Sequence, residues 1–502
     1  MNTRFRFPVL FAFALATSAV AQTSELWGAH GENWDPHGRL PDFSYAGYHC
    51  GEAPLPNVPL GVSIKSFGAK GDGVTDDTAA FLKALATIKS GAIEVPAGRY
   101  IITNILEVRH SGVVLRGAGP DKTVLFFPIP LQVVKPDDST TTSGRPTSNY
   151  SWLGGFVWFK GELGERELAK VTSEAKRGDT ALQVASADNL HIGQRIEIFQ
   201  TDPADYSLTA HLYSDDSGST AKIHGNHASL VCRVIKIEGN QIQIDRPLRF
   251  DVKAEWQPRL RSFEPTVTES GIENICFEFP NTPYAGHFTE PGFNPLAFNN
   301  VSDCWGRNLR ITNADSGPFL SGHFCTVQDV VFDSARKPDS VSLCTGHHGT
   351  SLEGDDNLFT GFDYHCRFIH DITVSIGAGN VIVGGRGVDL CFDHHKHAPY
   401  ENLFANIDVG AGTDVWRHGG GDALGKPSGA RGTFWNIRSA TPLHYPPADF
   451  GPPSMNFIAL ETAQPTQKSA TNRWFEAIPT AKIIPQDLHA AQLARRLSLK
   501  QN

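Results

Sequence analysis

The chain has 502 residues, of which 40% are hydrophobic and 19% are charged, so it can bury a large core and is not a disordered chain. It carries 53 acidic and 44 basic residues, and a formal net charge of −9 argues against a general nucleic-acid binder, which needs a strongly basic face. The length fits several ordinary domains or one elongated domain with insertions.

The first 21 residues have the pattern of a secretory signal peptide. Arg4 and Arg6 precede an apolar run over residues 7–16, and residues 19–21 read Ala-Val-Ala, a small-residue cleavage site. We therefore expect a secreted protein, extracellular or periplasmic, whose mature chain begins near Gln22. Because no later stretch approaches the roughly 20 apolar residues that a bilayer requires, we expect no membrane span.

The rest of the chain divides into segments that differ in composition and predicted secondary structure. Residues 22–60 are rich in Gly, Pro and aromatic residues and predict an irregular N-terminal arm. Residues 61–165 contain short apolar strands between Gly and Pro turns, and residues 76–89 have the N-cap and apolar spacing of a capping helix. Residues 166–255 contain short, closely spaced strands, which predict a small inserted β domain. Residues 441–502 are Pro-rich at first and are predicted to form a C-terminal tail.

A repeat begins after residue 270. Asn, Asp or Gly, followed by an apolar residue or a second Gly, recurs at intervals of 34, 21, 32, 23, 22 and 30, at positions 274, 308, 329, 361, 384, 406 and 436. A second register places Asn at positions 357, 380 and 402. Intervals a little over 20 are typical of one coil of a β-helix, and longer intervals indicate loops inserted at a corner. Residues 256–440 are therefore predicted to form the main β-helix.

One segment carries a family resemblance. Residues 68–81 read Gly-Ala-Lys-Gly-Asp-Gly-Val-Thr-Asp-Asp-Thr-Ala-Ala-Phe, and residues 96–100 read Pro-Ala-Gly-Arg-Tyr. These motifs resemble the opening of the pectate-lyase-like, right-handed β-helix superfamily. The resemblance implies an all-β chain that forms a right-handed parallel β-helix, here with a small inserted β domain. That superfamily contains lyases, hydrolases, epimerases and phage tailspikes, so the motif implies the fold more narrowly than the activity.

The repeat predicts that three charged side chains lie on neighbouring coils. Side chains alternate between the two faces of a strand, so Asp363, Arg386 and Asp408 are expected to point outward on three adjacent coils. Neighbouring strands lie about 4.8 Å apart, which puts the two carboxylates roughly 10 Å apart with the guanidinium between them. A surface ladder of ion pairs would show the same alternation of charge.

Histidine is concentrated in the same region. Eight of the 20 histidines lie between residues 347 and 418, most densely at 346–349 and 393–397. We predict one active face that contains the following residues: His348, Asp363, Arg386, Asp393, His394, His395, Lys396 and Arg417.

These residue types fit a lyase that cleaves a uronate-containing acidic polysaccharide by β-elimination. The reaction needs a cation to neutralise the carboxylate, a base and an acid. We expect Arg386 to hold the carboxylate, Lys396 or His394 to take the proton, and His348 to donate to the leaving oxygen. Asp363, Asp393, His395 and Arg417 are expected to bind the substrate.

Two other functions stay open. A glycoside hydrolase needs two carboxyl groups at a set separation, and Asp355, Asp356, Asp363 and Asp393 are the candidates. The polygalacturonase pattern of an Asp pair followed by Gly-His-Gly is not reproduced, because residues 346–349 precede the Asp pair. A non-catalytic glycan-binding β-helix would instead expose aromatic side chains in a row, and Trp416 and Trp435 are the candidates.

The sequence makes no firm cofactor prediction. Adjacent strand residues point to opposite faces, so at most two of Asp393, His394, His395 and His397 would converge on a metal. Ca²⁺ held by Asp carboxylates is the alternative that stays open. The eight cysteines contain no CxxC pair, so we expect no structural zinc site. Their pairing and the oligomeric state are not predicted.

Overall fold

The computed structural model describes residues 21–141, 143–463 and 473–500. The predicted signal peptide, apart from its last residue, lies outside the described residues. The described chain winds through parallel strands that pair coil to coil in two large sheets. Parallel crossover connections of this kind are right-handed. The predicted fold, an all-β right-handed parallel β-helix, is confirmed.

The larger of the two sheets, the long sheet, comprises sixteen strands. Its twelve consecutive strands are Leu60–Ser63, Gly91–Val95, Val113–Gly117, Gly271–Glu278, Trp305–Thr312, Thr326–Asp333, Leu358–Tyr364, Val381–Val383, Leu403–Asp408, Thr433–Arg438, Asn456–Leu460 and Trp474–Glu476. Four strands pair beside this path: Asp72–Asp76, Gly98–Ile101, Thr123–Phe126 and Arg386–Gly387. Two of the twelve strands lie beyond residue 440, so the predicted end of the β-helix at that residue is wrong.

The second large sheet has seven strands and is called the site sheet below. Its strands, in spatial order, are Phe392–His394, Phe368–Val374, Gly346–Leu352, Phe319–His323, Leu296–Ser302, Val157–Lys160 and Leu106–Val108. Every pairing in it is parallel.

The repeat seen in the sequence is a column of left-handed residues at one bend of the coil. Positions 274, 308, 329, 361, 384, 406 and 436 have φ between +52° and +67°. Asn, Asp and Gly adopt this conformation most readily, which explains why those residues recur there. The residue after each of these positions lies beside its equivalent on the next coil. Leu309 pairs with both Ile275 and Val330, and Val330 pairs with Phe362.

Two internal ladders hold the coils together. Asn357, Asn380 and Asn402, the second predicted register, are almost fully buried. The side-chain amide of Asn357 donates to Asn380 and that of Asn380 to Asn402, each at 3.1 Å. Phenylalanine rings at 404, 434, 457 and 475 stack on successive coils with centroids 5.2–5.3 Å apart. Stacking of this kind uses four of the 31 Phe of the chain to connect successive coils.

A separate six-stranded antiparallel sheet forms the inserted unit. Its strands are Glu167–Lys170, Ala181–Gln183, Arg195–Thr201, His227–Glu238, Gln241–Ile244 and Arg259–Ser262. Its last strand lies beyond the predicted boundary at 255. The insert is fastened to the solenoid where Arg246 and Arg249, nearly fully buried, both bind the buried carboxylate of Asp356.

The remaining elements cap and connect the coils. The α-helices are Thr78–Thr87, Leu131–Val134, Ser207–Leu212 and Leu488–Lys500, and the 3₁₀ turns are Tyr48–Gly51, Ile64–Phe67, Asn149–Ser151, Ala254–Trp256 and Ala448–Phe450. The short paired strands are Gln22–Thr23 with Ile483–Ile484, Asp138–Thr140 with Pro146–Ser148, and Leu163–Gly164 with Glu264–Pro265. Among the described residues, no helix has the length and apolar character that a membrane crossing needs.

The C-terminal helix joins the two ends of the chain. Gln492 donates to the carbonyl of Pro41 at 2.8 Å and accepts from the backbone N–H of Phe43 at the same distance. The N-terminal arm is thus packed against the last helix. The eight cysteines are buried free thiols. Cys304 and Cys325 immediately precede residues that pair on adjacent coils.

Candidate active site

A cavity of about 600 Å³ lies over one end of the site sheet. Its lining is rich in histidine and also includes Arg417, Glu353 and two aromatic side chains, Trp152 and Phe288. The lining histidines are His287, His347, His348, His370, His395, His397 and His418.

Three strands and two loops bring these groups together. Register in the site sheet sets His348 beside His370 and Thr373 beside Asp393. His287 lies between strands Gly271–Glu278 and Leu296–Ser302, and Arg417 lies between Leu403–Asp408 and Thr433–Arg438. Both connections belong to the long intervals of the repeat, where inserted loops were predicted.

Five imidazoles form a contiguous cluster. The ring centroid of His347 lies 4.4 Å from that of His287, 4.1 Å from His348 and 5.3 Å from His370. His395 closes the cluster, with its ring centroid 5.7 Å from His348 and 5.4 Å from His370.

Asp393 is the buried anchor of His395. Its Oδ2 accepts hydrogen bonds from Nδ1 of His395 at 2.8 Å and from the Thr373 hydroxyl at 3.1 Å. Its Oδ1 accepts from the backbone N–H of Gly419 at 2.5 Å. A Cβ at position 419 would lie 2.4 Å from the His395 ring, so glycine is required for this approach. The contacts fix the tautomer of His395 and leave its Nε2 for other partners.

Burial and neighbouring charge set the protonation of the cluster. Desolvation, with the other histidines, lowers the pKa of His348 well below its ordinary value, so this ring is neutral near pH 7. Burial opposes protonation of His395, but the Asp393 carboxylate outweighs it and raises the pKa of His395. Burial also opposes ionisation of Asp393, yet His370 and His395 hold the pKa of this carboxyl well below its usual range.

Arg417 and Glu353 add a cation and an acid to the same cavity. Nη2 of Arg417 donates to the carbonyl of Phe368 at 3.1 Å and lies 3.8 Å from the Asp371 carboxylate. Its side chain keeps about a quarter of its surface exposed. Glu353 accepts from the hydroxyl of Ser321 at 3.2 Å. Desolvation raises the pKa of Glu353, which favours the protonated acid.

Lys396 lies at the edge of this site in an unusual backbone. Residues 396, 397 and 398 have φ of 65°, 62° and 57°, a left-handed run of three non-glycine residues. The ammonium of Lys396 donates to the carbonyl of Gly421 at 2.9 Å and is not part of the cavity lining. The structure therefore gives Lys396 a contact that fastens the loop beside the cavity.

Asp363 and Arg386 are neighbours, as the repeat indicated, but they lie on the long sheet and not in the cavity. Arg386 pairs in register with both Asp363 and Asp408. Its Nη2 donates to Asp363 at 2.7 Å, while 70% of its side chain is exposed. His365 bridges Asp363 and Asp333. The prediction of one active face is wrong, since alternation along the long sheet says nothing about proximity to the site sheet.

His394 is sealed in the core. It is 1% exposed, and its ring lies 5.0–5.6 Å from the rings of Phe404, Phe434 and Phe450. Because adjacent strand residues face opposite ways, Asp393 points to the site and His394 points inward. Its assignment as a base on the outer surface is wrong for this reason.

We expect His394 to make the protein sensitive to acid. Burial lowers its pKa to about 4, whereas an unfolded chain keeps about 6.5. The unfolded chain binds more protons between these values, so stability present above pH 6.5 is lost as the pH falls towards 4. In wild-type protein the free energy of unfolding should be lower at about pH 5 than at about pH 7.5, and urea unfolding should show that His394→Leu reduces this difference by about 2 kcal/mol. An unchanged difference would contradict a lowered pKa of His394 as a cause of acid sensitivity.

The Asp pair proposed for hydrolysis and the two tryptophans proposed for glycan binding make contacts that stabilise the fold. Asp356 binds two buried arginines, and Asp355 accepts from the Ser229 hydroxyl and the Ala378 backbone. Trp435 is fully buried, and Trp416 packs against Phe434 and Phe457. Asp355 and Asp356 are thus engaged in tying the insert to the coils. The two tryptophans do not form an exposed row.

Sequence reasoning missed several cavity residues. His347 and His370 were part of the histidine-rich region but received no role, and Glu353 lies just before the Asp pair. His287 lies outside that region, about 60 residues from His347. The signal available for His287 was the long interval between positions 274 and 308, which marks an inserted loop. His348, His395 and Arg417 were predicted for the site and do line the cavity.

Comparison with known proteins finds a family match in the first part of the chain. Residues 61–190 match the family described as rhamnogalacturonase A/epimerase, pectate lyase-like. The preneck appendage protein of Bacillus phage PZA is 47% identical over 69 residues, which are 14% of this chain and 8% of that protein. A polygalacturonase of Prunus persica is 38% identical over 68 residues, 12% of this chain and 17% of that enzyme. The chain therefore spans less than a fifth of each curated relative.

A solved structure is also similar. The tailspike protein of Pseudomonas phage LKA1 superposes with a TM-score of 0.42 at 14% identity, covering 81% of this chain and 69% of that one. The family match over the opening coils agrees with the parallel coils of the structure itself. The opening coils therefore match a pectate-lyase-like family model, and the chain as described has the fold of a right-handed parallel β-helix.

Proposed function

We propose that the protein cleaves a uronate-containing acidic polysaccharide by β-elimination in the cavity over the site sheet. The observation that carries this proposal is the convergence of Arg417, the His395–Asp393 pair and Glu353 around one cavity. These groups match the three requirements of the reaction: a cation, a base and an acid.

Each group has a position suited to its role. Arg417 is held by its Nη2 contacts, lines the cavity and keeps about a quarter of its side-chain surface exposed, and we assign it to bind the uronate carboxylate and stabilise charge on it. Asp393 orients His395 through Nδ1, and Nε2 is the atom that accepts the proton. Glu353 donates to the leaving oxygen. These assignments move the carboxylate role from Arg386 to Arg417 and the base from Lys396 or His394 to His395. They also move the acid from His348 to Glu353.

Hydrolysis is the second candidate, and Glu353 is the observation that favours it. A carboxyl group with a raised pKa in a cavity is suited to be the general acid of a glycoside hydrolase. The same mechanism needs a second carboxylate with access to the sugar. Asp393 is fully buried and already bound by three donors. Elimination does not need a second carboxylate, so the groups that line the cavity suit it better than hydrolysis.

The test is an assay on a panel of uronate polymers with the purified full chain. Elimination leaves a double bond in the new non-reducing end, so ultraviolet absorbance should rise together with new reducing ends on at least one polymer. New reducing ends without that absorbance would favour hydrolysis and contradict the proposal. Retention of the polymer on a column of immobilised protein, with neither product, would favour a binding module and also contradict it.

We also propose that the protein is exported and cleaved after Ala21. The support is the charged start, the apolar run and the Ala-Val-Ala site. Expression of the full chain in a secreting host should give an intact mass that begins at Gln22 in the periplasm or medium. A cell-retained product of full mass would contradict the proposal.

A further inference from the structure

Six of the seven histidines that line the cavity have no part in the mechanism above, and three of these six lie close together. They are His287, His347 and His370, and one ring nitrogen from each lies within 4.8 Å of those of the other two. We infer that these three imidazoles bind a single divalent transition-metal ion of the zinc type.

The hydrogen bonding of the three rings supports this site. His287 Nε2, His347 Nδ1 and His370 Nδ1 are buried and, within the described chain, have no hydrogen-bond partner. His347 and His370 are themselves 1% and 4% exposed. A buried polar atom without a partner costs about 1–3 kcal/mol. An ion bound by Nε2 of His287 would give that atom a partner, whereas the two Nδ1 atoms face buried carboxylates.

Buried carboxylates stand behind two of the rings. Nδ1 of His347 lies 3.5 Å from Oε2 of Glu290, and Nδ1 of His370 lies 3.3 Å from Oδ2 of Asp393. Such carboxylates orient metal-binding imidazoles and direct the other ring nitrogen at the ion. Glu290 is itself fixed, since it accepts from the hydroxyls of Ser151 at 2.8 Å and Tyr284 at 2.6 Å.

The donor set selects the class of metal. Three neutral imidazoles suit zinc and its neighbours, whereas Ca²⁺ prefers oxygen ligands. In a tetrahedral zinc site the nitrogens lie roughly 3.3 Å apart, so ring nitrogens within 4.8 Å of one another need to close by at most about 1.5 Å. Three protein ligands leave a fourth position, and the cavity is the space beside it. The inference concerns ion binding and does not depend on elimination being the activity.

The experiment measures metal binding by the full-length folded chain. Protein stripped with a chelator is dialysed against Zn²⁺, and bound metal is counted by mass spectrometry, with Co²⁺ absorption as a second readout of the ligand geometry. We expect about one ion per chain, with tetrahedral Co²⁺ bands. His287→Ala, on a loop, and His347→Gln should each weaken binding by more than about tenfold. His397→Gln, another cavity histidine, is the matched control and should bind as the wild type does.

The result that overturns the inference is wild-type protein with less than about a tenth of an ion per chain at micromolar free Zn²⁺. Unchanged binding by His287→Ala would overturn it equally, and circular dichroism establishes that the variant is folded. If His347→Gln does not fold, the His287 variant and the wild type decide. An inactive protein that binds zinc would refute the elimination proposal alone, and an active protein without zinc would refute the metal site alone.

Discussion

Replacing Arg417 by Ala is expected to reduce kcat/KM on the cleaved uronate polymer by about 100- to 1,000-fold, the range found when one charge-stabilising donor is removed. Arg417 lines the cavity and is the residue to which we assign carboxylate binding, so the carboxylate would lose its partner as charge develops on it. The measurement is the initial rate of unsaturated product over a range of polymer concentrations.

Arg386→Ala is the matched control for Arg417→Ala. It removes the same charge from an exposed ion pair on the long sheet, and we expect kcat/KM to change by no more than about twofold. Equal losses in the two variants would contradict the location of the site. Full activity of Arg417→Ala would contradict its role as the carboxylate-binding residue.

Asp356→Asn is expected to lower the free energy of unfolding by about 3–5 kcal/mol. The carboxylate is 1% exposed and faces two guanidinium groups, from Arg246 and Arg249, that are 2% and 4% exposed. Without its charge, two buried cations lose their counter-ion in a region that water does not reach. Because these arginines belong to the insert, the variant should loosen the contact between insert and solenoid.

Chemical denaturation of wild type and variant measures this effect directly. The control is Asp363→Asn, which breaks an exposed ion pair with Arg386 and should cost no more than about 1 kcal/mol. A variant at Asp356 as stable as the control would show that the buried ion pairs do not stabilise the fold as argued.

The fold was accessible from the sequence because its repeat has a steric cause. A bend that forces φ near +55° in each coil selects Asn, Asp or Gly, so positions such as 308, 406 and 436 stay visible despite inserted loops. The buried Asn ladder at 357, 380 and 402 is visible for a similar reason, since each amide serves the neighbouring coil.

The site was accessible only in part. Register predicted the contact of Asp363 with Arg386, and histidine density pointed to the region of His348 and His395. Which of two sheets a residue faces depends on the path around each coil, which spacing alone does not describe. The inward orientation of His394 follows from strand alternation only after one residue of that strand has been placed.

The repeat does not predict which residues of an inserted loop reach the cavity. His287 and Arg417 both line it from long connections, yet only Arg417 was predicted for the site. Their position depends on loop packing, including the close approach of Gly419 to His395, which has no periodic signature.

We propose that an acidic glycan binds and is cleaved in the cavity over the site sheet. The sharpest test is a crystal structure of the Glu353→Gln variant with a uronate oligosaccharide, because this near-isosteric change removes the proposed acid and leaves Arg417 in place. We predict a sugar carboxylate within hydrogen-bonding distance of Arg417, with the ring beside His395 Nε2. An oligosaccharide seated instead on the Asp363–Arg386 surface, with the cavity empty, would contradict the account.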